Sequence, residues 1–252
     1  MTERALTFGA AAAAYELHRP DYPPEIVDRV LVHADGDVRT ALEIGAGTGK
    51  ATRVFAARGI AVTATDPDAQ MLAELRRHVP ESVTARQSTL EAYPEGEVFD
   101  LVYAAASLHW TDPATRFTRI ARLLRPGGVF ACFGGPTRLS DPEVRAAVRE
   151  ARSPVLSDDR APRQEVTPGQ GGLEWPGTEL AASPMFTDVV AAVVPRRSEV
   201  AVDDYLGYLS TVSAYLMLSR QDRDDVFARI RAALPELVAV SSDLRIHLAR
   251  RV

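Results

Sequence analysis

Three glycines fall within five positions of the run "ALEIGAGTGK", Ala41 to Lys50, between a short apolar stretch and a helical pattern. A glycine at a strand's end lets the backbone take a positive φ and lets a ligand approach the main chain without meeting a Cβ. A strand that feeds a helix through such a turn is half of a βαβ unit, and βαβ units build parallel sheets with helices on their faces.

The first half of the chain repeats that alternation. "PPEIVDRVLVH" opens with prolines suited to a first turn and repeats apolar residues at Ile26, Val27, Val30 and Leu31, so it reads as a leading helix. "TALEIG" is the first strand, Thr48 to Ala57 a helix, "AVTATD" the second strand with Asp66 at its carboxyl end, and "DAQMLAELRRH" a helix. "SVTARQS" follows as a third strand. "FDLVYAAAS", apolar on both faces, is a fourth and central strand. Asp112 and Pro113 form an N-cap and N1 pair for a helix striped by Phe117, Ile120, Ala121 and Leu124; "RPGG" stops it before the fifth strand, "GVFACFG". The pattern breaks from Pro136 to about Pro184, where "TPGQGGLEWPGTE" has no regular period, and this stretch reads as an insertion or lid. Regular signals return with "FTDVVAAVV", helices near Asp203 to Leu218 and Asp222 to Ala233, and a last strand, "DLRIHLARRV".

A chain of 252 residues with 46% hydrophobic content supports one substantial core with a small appended lid. The formal charge of -5 and the lack of a basic run argue against nucleic acid or an anionic membrane as partner, and no segment reaches membrane-spanning length. Cys132, the sole cysteine, excludes an internal disulfide and a cysteine-built zinc site and fits a reducing, cytoplasmic setting.

A nucleotide bound at the glycine turn needs a carboxylate at the end of the second strand for its ribose hydroxyls, and Asp66 lies 21 positions after Gly45 (66 − 45). A dinucleotide fingerprint would carry a third glycine where Lys50 stands, so the spacing disfavours NAD and favours an adenosyl cofactor.

"LEIGAGTGK", "VTATDPDAQML", "FDLVYAAASLHW" and "LLRPGG", in this order from about Phe8 to Phe133, resemble the motifs of class I S-adenosylmethionine-dependent methyltransferases with a type 11 domain. "AAASLHW" with "FGAAAAAYELHRPDYP" is similar to the trans-aconitate methyltransferase-like branch. The resemblance implies a Rossmann-like α/β fold: a seven-strand sheet, mostly parallel with an antiparallel last strand, helices on both faces, and an insertion or lid after strand five. It divides the chain into cofactor-covering helices (1–35), a cofactor-binding core (36–135), the lid (136–185) and a C-terminal part (186–252) that completes the sheet and the substrate pocket. It implies that Gly45, Ala46, Gly47 and Gly49 pass the methionine and ribose part of S-adenosylmethionine, that Asp66 holds the ribose, and that Glu43 supports the loop. Pro67 and Met71 would pack near the adenine and the backbone at Leu90 would read its edge; Thr89 stands where many relatives have an aspartate for the adenine amino group. Ala105, Ser107 and His109 would lie nearest the sulfonium, and Tyr15, His18, Arg19 and Tyr22 would fold over the cofactor.

The remaining residues allow a structural and a functional reading side by side. His109 beside Trp110 is either a satisfied histidine at a helix entrance or a general base for a hydroxyl acceptor, with His18 as the other candidate base. Tyr205, Leu209, Val212 and Leu216 form a stripe at helical spacing that is most simply core, and Tyr205 together with Tyr208 and Tyr215 on the stripe's edge, Trp110 and Trp175 are the candidates to wall an acceptor pocket. Arg138, Arg196 and Arg197 are ordinary surface charges unless the acceptor is a carboxylate, which needs at least one of them. The expected activity is O-methylation of a carboxylate or hydroxyl on a small molecule by a monomer or homodimer, leaving S-adenosylhomocysteine and needing no metal. C- or N-methylation, or a non-methylating use of the bound cofactor, are the alternatives.

Overall fold

The computed structural model describes residues 11–34, 36–156 and 173–252. Ten strands and ten helices are present in these residues. The strands are β1 (Thr40–Ile44), β2 (Ala61–Asp66), β3 (Thr84–Gln87), β4 (Phe99–Ala105), β5 (Leu124–Gly134), β6 (Arg138–Leu139), β7 (Phe186–Val194), β8 (Arg197–Ala201), β9 (Leu237–Ser241) and β10 (Leu244–Arg251). The helices are α1 (Ala12–His18), α2 (Glu25–Ala34), α3 (Thr52–Ala56), α4 (Ala69–His78), α5 (Arg116–Leu123), α6 (Pro142–Arg152), α7 (Gly177–Ala182), α8 (Val202–Ser210), α9 (Ser213–Leu216) and α10 (Arg220–Ala233).

Seven strands form one sheet in the order β3-β2-β1-β4-β5-β10-β7, with β4 at its centre. The ladders from β3 to β5 are parallel, and β10 runs antiparallel to both β5 and β7. This is the expected fold, with the last strand inserted between β5 and β7. Side chains alternate across each strand. Leu101 and Tyr103 of β4 join a core with Ile26, Val30, Phe55 and Leu75 from α2, α3 and α4, while Val102 and Ala104 join a second core with Phe117, Ile120 and Leu180 from α5 and α7. Phe55 stacks on Tyr103 at 4.2 Å between ring centroids, which seats the helix after the glycine turn directly on the central strand.

A third core belongs to a cap. It joins α6, α8, α9 and α10 to a small antiparallel sheet ordered β6-β9-β8. Neither that sheet nor α6 was read from the sequence, although Asp141 caps α6 by accepting from the backbone N–H groups of Glu143 and Val144, with Pro142 at the first helical position. Part of the expected lid, 157–172, lies outside the described residues, as does 1–10 of the cofactor-covering segment.

Helix boundaries differ from expectation: the helix after the glycine turn starts at Thr52, not at Thr48, and Leu124, expected on the stripe of the helix after β4, opens β5 together with the "RPGG" run. The helix after β4 begins at Arg116, not at Pro113, because the Asp112 carboxylate accepts from Ala114 N–H and Thr115 Oγ1 and so closes a turn one residue short of the helix. The helix expected from Asp203 to Leu218 is broken into α8 and α9. Thr211 bonds back through its hydroxyl to the Tyr208 carbonyl while its own carbonyl accepts from Arg19 Nη2, and Val212 turns to an extended conformation.

Candidate functional site

The three glycines of the turn all have positive φ, but they do different work. A Cβ on Gly45 would sit 2.6 Å from Ser107 Cβ, and one on Gly49 would sit 2.9 Å from Leu75 Cγ, so these two permit close packing against the end of β4 and against α4. Around Gly47 nothing lies within 4 Å of the missing Cβ: here the absence of a side chain leaves open space, the condition for a ligand passing over the main chain.

Asp66, at the carboxyl end of β2, closes the other side. Its Oδ2 accepts from Gly47 N–H at 2.9 Å and its Oδ1 from Asp68 N–H at 2.9 Å, so the carboxylate is locked across the loop while remaining on the cavity wall. Only 8% of the residue is exposed, and burial pushes its carboxyl up to about 6 against the two backbone hydrogen bonds. Beneath the loop, Glu43 Oε2 accepts from Thr52 Oγ1 at 2.5 Å and from Tyr103 at 2.9 Å; burial raises this carboxyl to about 8, with the Asp66 charge adding to the effect. At neutral pH Glu43 is therefore held largely protonated, a strut tying β1, α3 and β4 together under the turn.

A cavity of about 1440 Å³ opens over the carboxyl ends of the sheet strands. Gly45, Gly47, Asp66, Pro67 and Met71 line one side of it, followed by Thr89, Leu90 and Ala105. Tyr15 and Arg19 close it from α1 and the residue after it. The Arg19 guanidinium is sandwiched 5.0 Å from the Tyr15 ring and 4.8 Å from the Tyr208 ring, and its Nε donates to Thr211 Oγ1 at 2.7 Å, which clasps α1 to the cap. Trp110, Trp175, Tyr205, Tyr208 and Tyr215 also face the cavity, as do His109, Arg138 and Arg197. His109 lies in a single 3₁₀ turn after β4 with its ring 4.6 Å from that of Trp110.

Other expected residues are elsewhere. Glu43, Ala46, Tyr22 and Arg196 line a small adjoining space of about 70 Å³. Gly49 faces α4 and lines neither cavity. His18 also lines neither: its ring is pressed against Gly207 of α8, where no side chain has room, which makes it packing between α1 and the cap. Thr89 Oγ1 accepts from Ala92 N–H at 3.2 Å, and its hydroxyl is thereby drawn into capping the following turn. Arg197 is engaged by Asp243, and Arg196 donates to the Asp21 carbonyl at 2.7 Å.

Sequence reasoning missed Glu91, which lines the cavity two residues beyond Thr89 and accepts from Asp112 N–H at 2.8 Å, a bond that helps hold its carboxyl below the ordinary range despite burial. The signal was present, a carboxylate just past the third strand. It also missed Cys132 and His247, which lie on the cavity wall from β5 and β10. Burial raises the Cys132 thiol to about 12, leaving it a neutral packing group. Among the described residues no group of three His, Cys, Asp or Glu is placed to hold a metal ion, and no helix is long and apolar enough to cross a membrane.

A family model for the methyltransferase domain matches residues 42–132. An uncharacterized methyltransferase of Mycobacterium tuberculosis is 42% identical over 126 residues, 50% of this chain and 51% of the relative, so the chain spans about half the length of the mycobacterial relatives it matches. An uncharacterized methyltransferase of Schizosaccharomyces pombe is 36% identical over 227 residues, covering 89% of this chain and 85% of the relative. A malonyl-[acyl-carrier protein] O-methyltransferase of Enterobacter lignolyticus is 30% identical over 192 residues, 75% of each chain. A solved structure from Anaeromyxobacter dehalogenans, described as a type II methyltransferase, matches with a TM-score of 0.63 at 27% identity and covers 92% of this chain and 97% of that one.

Proposed function

The chain belongs to the class I S-adenosylmethionine-dependent methyltransferase family, and on that premise we propose that it methylates an oxygen, of a carboxylate or a hydroxyl, on a small acceptor enclosed between the sheet edge and the cap. The observation that carries the cofactor half of this reading is the Asp66 carboxylate locked to Gly47 N–H beside open space over the glycine loop. An adenosyl ligand fits that chemistry: the carboxylate accepts from ribose hydroxyls, Gly47 leaves room for the chain of the ligand, and Met71 and Pro67 give the adenine an apolar seat. Glu91, on the cavity wall two residues beyond Thr89, is the carboxylate this reading assigns to the adenine amino group in place of the aspartate expected at Thr89.

The cofactor supplies a methyl group on a sulfonium, a leaving group that is already activated. What remains for the protein is to align the acceptor and exclude water. Holding reactants in near-attack geometry is worth roughly 7–11 kcal/mol, whereas a general base adds about 10²- to 10⁴-fold in rate. The aromatic walls from Trp110, Tyr205, Tyr208 and Tyr215 and the Arg19 clasp serve the larger of these. A carboxylate acceptor is ionised at neutral pH and needs no base. The O-methylation of an acyl carrier protein's malonyl group by a relative, together with the motif likeness to the trans-aconitate branch, supports a carboxylate.

Calorimetric titration with S-adenosylhomocysteine tests the cofactor, with NAD as the negative control and Asp66→Ala as the site control. Binding lost in Asp66→Ala, followed by S-adenosylhomocysteine formed one-for-one with a methylated acceptor, is the expected result. Tight cofactor binding with no methylated product across carboxylic acids and phenols would instead favour a non-methylating role.

A further inference from the structure

Two buried polar side chains beside the cavity carry nitrogens that meet no hydrogen-bond partner. Arg116, the first residue of α5, is 4% exposed, and its Nε and Nη1 meet no hydrogen-bond acceptor. His247, in the middle of β10, is 3% exposed, and its Nε2 is likewise unmet. Native interiors rarely leave such nitrogens unsatisfied.

The two belong to one locality. Cys132 and His247 are ladder neighbours on β5 and β10, so their side chains share a face of the sheet, the face covered by α5 and α7. The Arg116 charge acts on the Cys132 thiol, which places the guanidinium on that same face. The Trp175 ring lies 5.5 Å from the guanidinium, and two residues later the backbone of Gly177 presses on the imidazole, with a Cβ there coming within 2.8 Å of His247 Cδ2. Cys132, Trp175, Pro176 and His247 all line the large cavity, whereas Arg116 lies outside that lining with its guanidinium against the Trp175 ring, so an anion reaches it only where Trp175 gives way. Trp175 is 42% exposed, a lid over the guanidinium rather than a fixed core residue. Glu174, the adjacent carboxylate, is consumed by an ion pair with Arg245. The Asp112 carboxyl accepts from Ala114 N–H and Thr115 Oγ1, bonds that hold it below its ordinary range with help from the Arg116 charge, and it leaves Arg116 Nε and Nη1 unmet.

We infer that Arg116 and His247 form an anion subsite of the acceptor pocket, covered by Trp175, that takes a carboxylate of the acceptor distinct from the atom that is methylated. The distance follows from the sheet. Ile44, Ala104, Cys132 and His247 are consecutive ladder partners across β1, β4, β5 and β10. Neighbouring strands are about 4.8 Å apart, so His247 lies roughly 10 Å along the sheet from Ala104, next to the Ala105 end of β4 where the reacting methyl is expected. An acceptor that fits both ends is elongated, with an anionic terminus about 10 Å from its methylated oxygen. Burial and the Arg245 charge hold the imidazole neutral, its own pKa pushed down to about 4, so in the tautomer with its proton on Nε2 it donates one hydrogen bond to that terminus while the guanidinium supplies the charge. The inference rests on the methyl-transfer reading only for the position of the reacting atom.

Suberate, a linear dicarboxylate long enough to span that separation, and its neutral diamide are the probes, titrated by calorimetry into full-length protein with and without saturating S-adenosylhomocysteine. The expected result is saturable suberate binding at least about tenfold tighter than the diamide, weakened at least about tenfold by Arg116→Met with S-adenosylhomocysteine affinity unchanged. Arg149→Gln, on the α6 wall of the same cavity, is expected to change suberate affinity less than about threefold, and His247→Phe to weaken it by about threefold or more should Arg116→Met fail to fold. Equal binding of the diamide, no binding of suberate to the wild-type protein, or a loss that follows Arg149 instead of Arg116 overturns the subsite. Failure of S-adenosylhomocysteine to bind sinks the cofactor reading separately, and the titration without it still judges the anion site.

Discussion

Replacing Gly47 by alanine separates the two reasons a loop can need glycine. Its φ is +57° and no atom lies within 4 Å of the added methyl, so the ligand-free protein meets only the cost of the left-handed backbone, about 1–2 kcal/mol. For a domain of this size that is a fall in Tm of roughly 2–8 °C. Gly49→Ala carries the same kind of backbone cost at φ +88° and adds a methyl 2.9 Å from Leu75 Cγ and 3.1 Å from Val79 Cγ1, an overpacking of about 1–3 kcal/mol more. The order of stability is therefore Gly47→Ala above Gly49→Ala. The order of binding is reversed: a methyl standing in the ligand's path at Gly47 should raise the Kd for S-adenosylhomocysteine by roughly 10- to 100-fold, an overlap of about 1.4–2.8 kcal/mol. Folded Gly49→Ala, which faces α4, should stay within about threefold of wild type. Scanning calorimetry of the ligand-free variants and isothermal titration of the same samples give both orders. Wild-type affinity in Gly47→Ala, or equal destabilisation of the two variants, refutes the assignment of the open face to a ligand.

Asp66 makes cofactor affinity pH-dependent. Its carboxyl is raised to about 6 in the folded chain, from an ordinary 3.8, so its contribution to stability is complete below pH 4 and about 3 kcal/mol is lost as pH rises through 6. The ribose needs the ionised form, and S-adenosylhomocysteine affinity should fall by up to about tenfold per pH unit below 6; a flat titration from pH 8 to 5, or an unchanged slope in Asp66→Asn, contradicts the ribose role. Arg19→Lys keeps the charge but not the flat stack between Tyr15 and Tyr208, and is expected to cost about tenfold in cofactor affinity and to speed hydrogen exchange in α1; unaltered exchange rules out the clasp. His109→Ala should leave kcat on a carboxylate acceptor within about threefold and lower it at least about 100-fold on a hydroxyl acceptor, so rates on the two acceptor classes decide whether it is a base.

The cofactor half of this site was legible because it is local. Turn, glycines and Asp66 follow one another along the chain: the glycines are demanded by a positive φ, and Asp66 is marked by its place at the end of the next strand. The strands of the sheet were legible for the same reason, whereas β10 lying antiparallel was implied by the family resemblance alone. Where the expectation slipped, a tertiary contact overrode a local pattern: the apolar period from Asp203 to Leu218 has no visible break, and the helix ends at Thr211 because Arg19, 192 residues away, takes its carbonyl. His18 looked like a candidate base because a histidine near a cofactor cover is chemically suggestive, and only its packing against Gly207 shows it to be a spacer.

The acceptor half is written differently. Trp110, Trp175, Tyr208 and His247 come from four separated elements and meet only once the cap folds over the sheet. Arg116 sharpens the point. It stands within the stretch matched by the methyltransferase model, at the head of "RFTRIARL", just before Phe117 opens the apolar stripe and four residues before Ile120, on the flank of that stripe. It is 4% exposed, and the Trp175 ring, from beyond that stretch, lies 5.5 Å from its guanidinium. A residue can thus sit in a helix of the matched methyltransferase stretch and answer to the acceptor. Changes in the segment carrying Trp175 would alter what Arg116 can hold without disturbing the glycine loop or Asp66, which lets one cofactor scaffold serve acceptors of different charge.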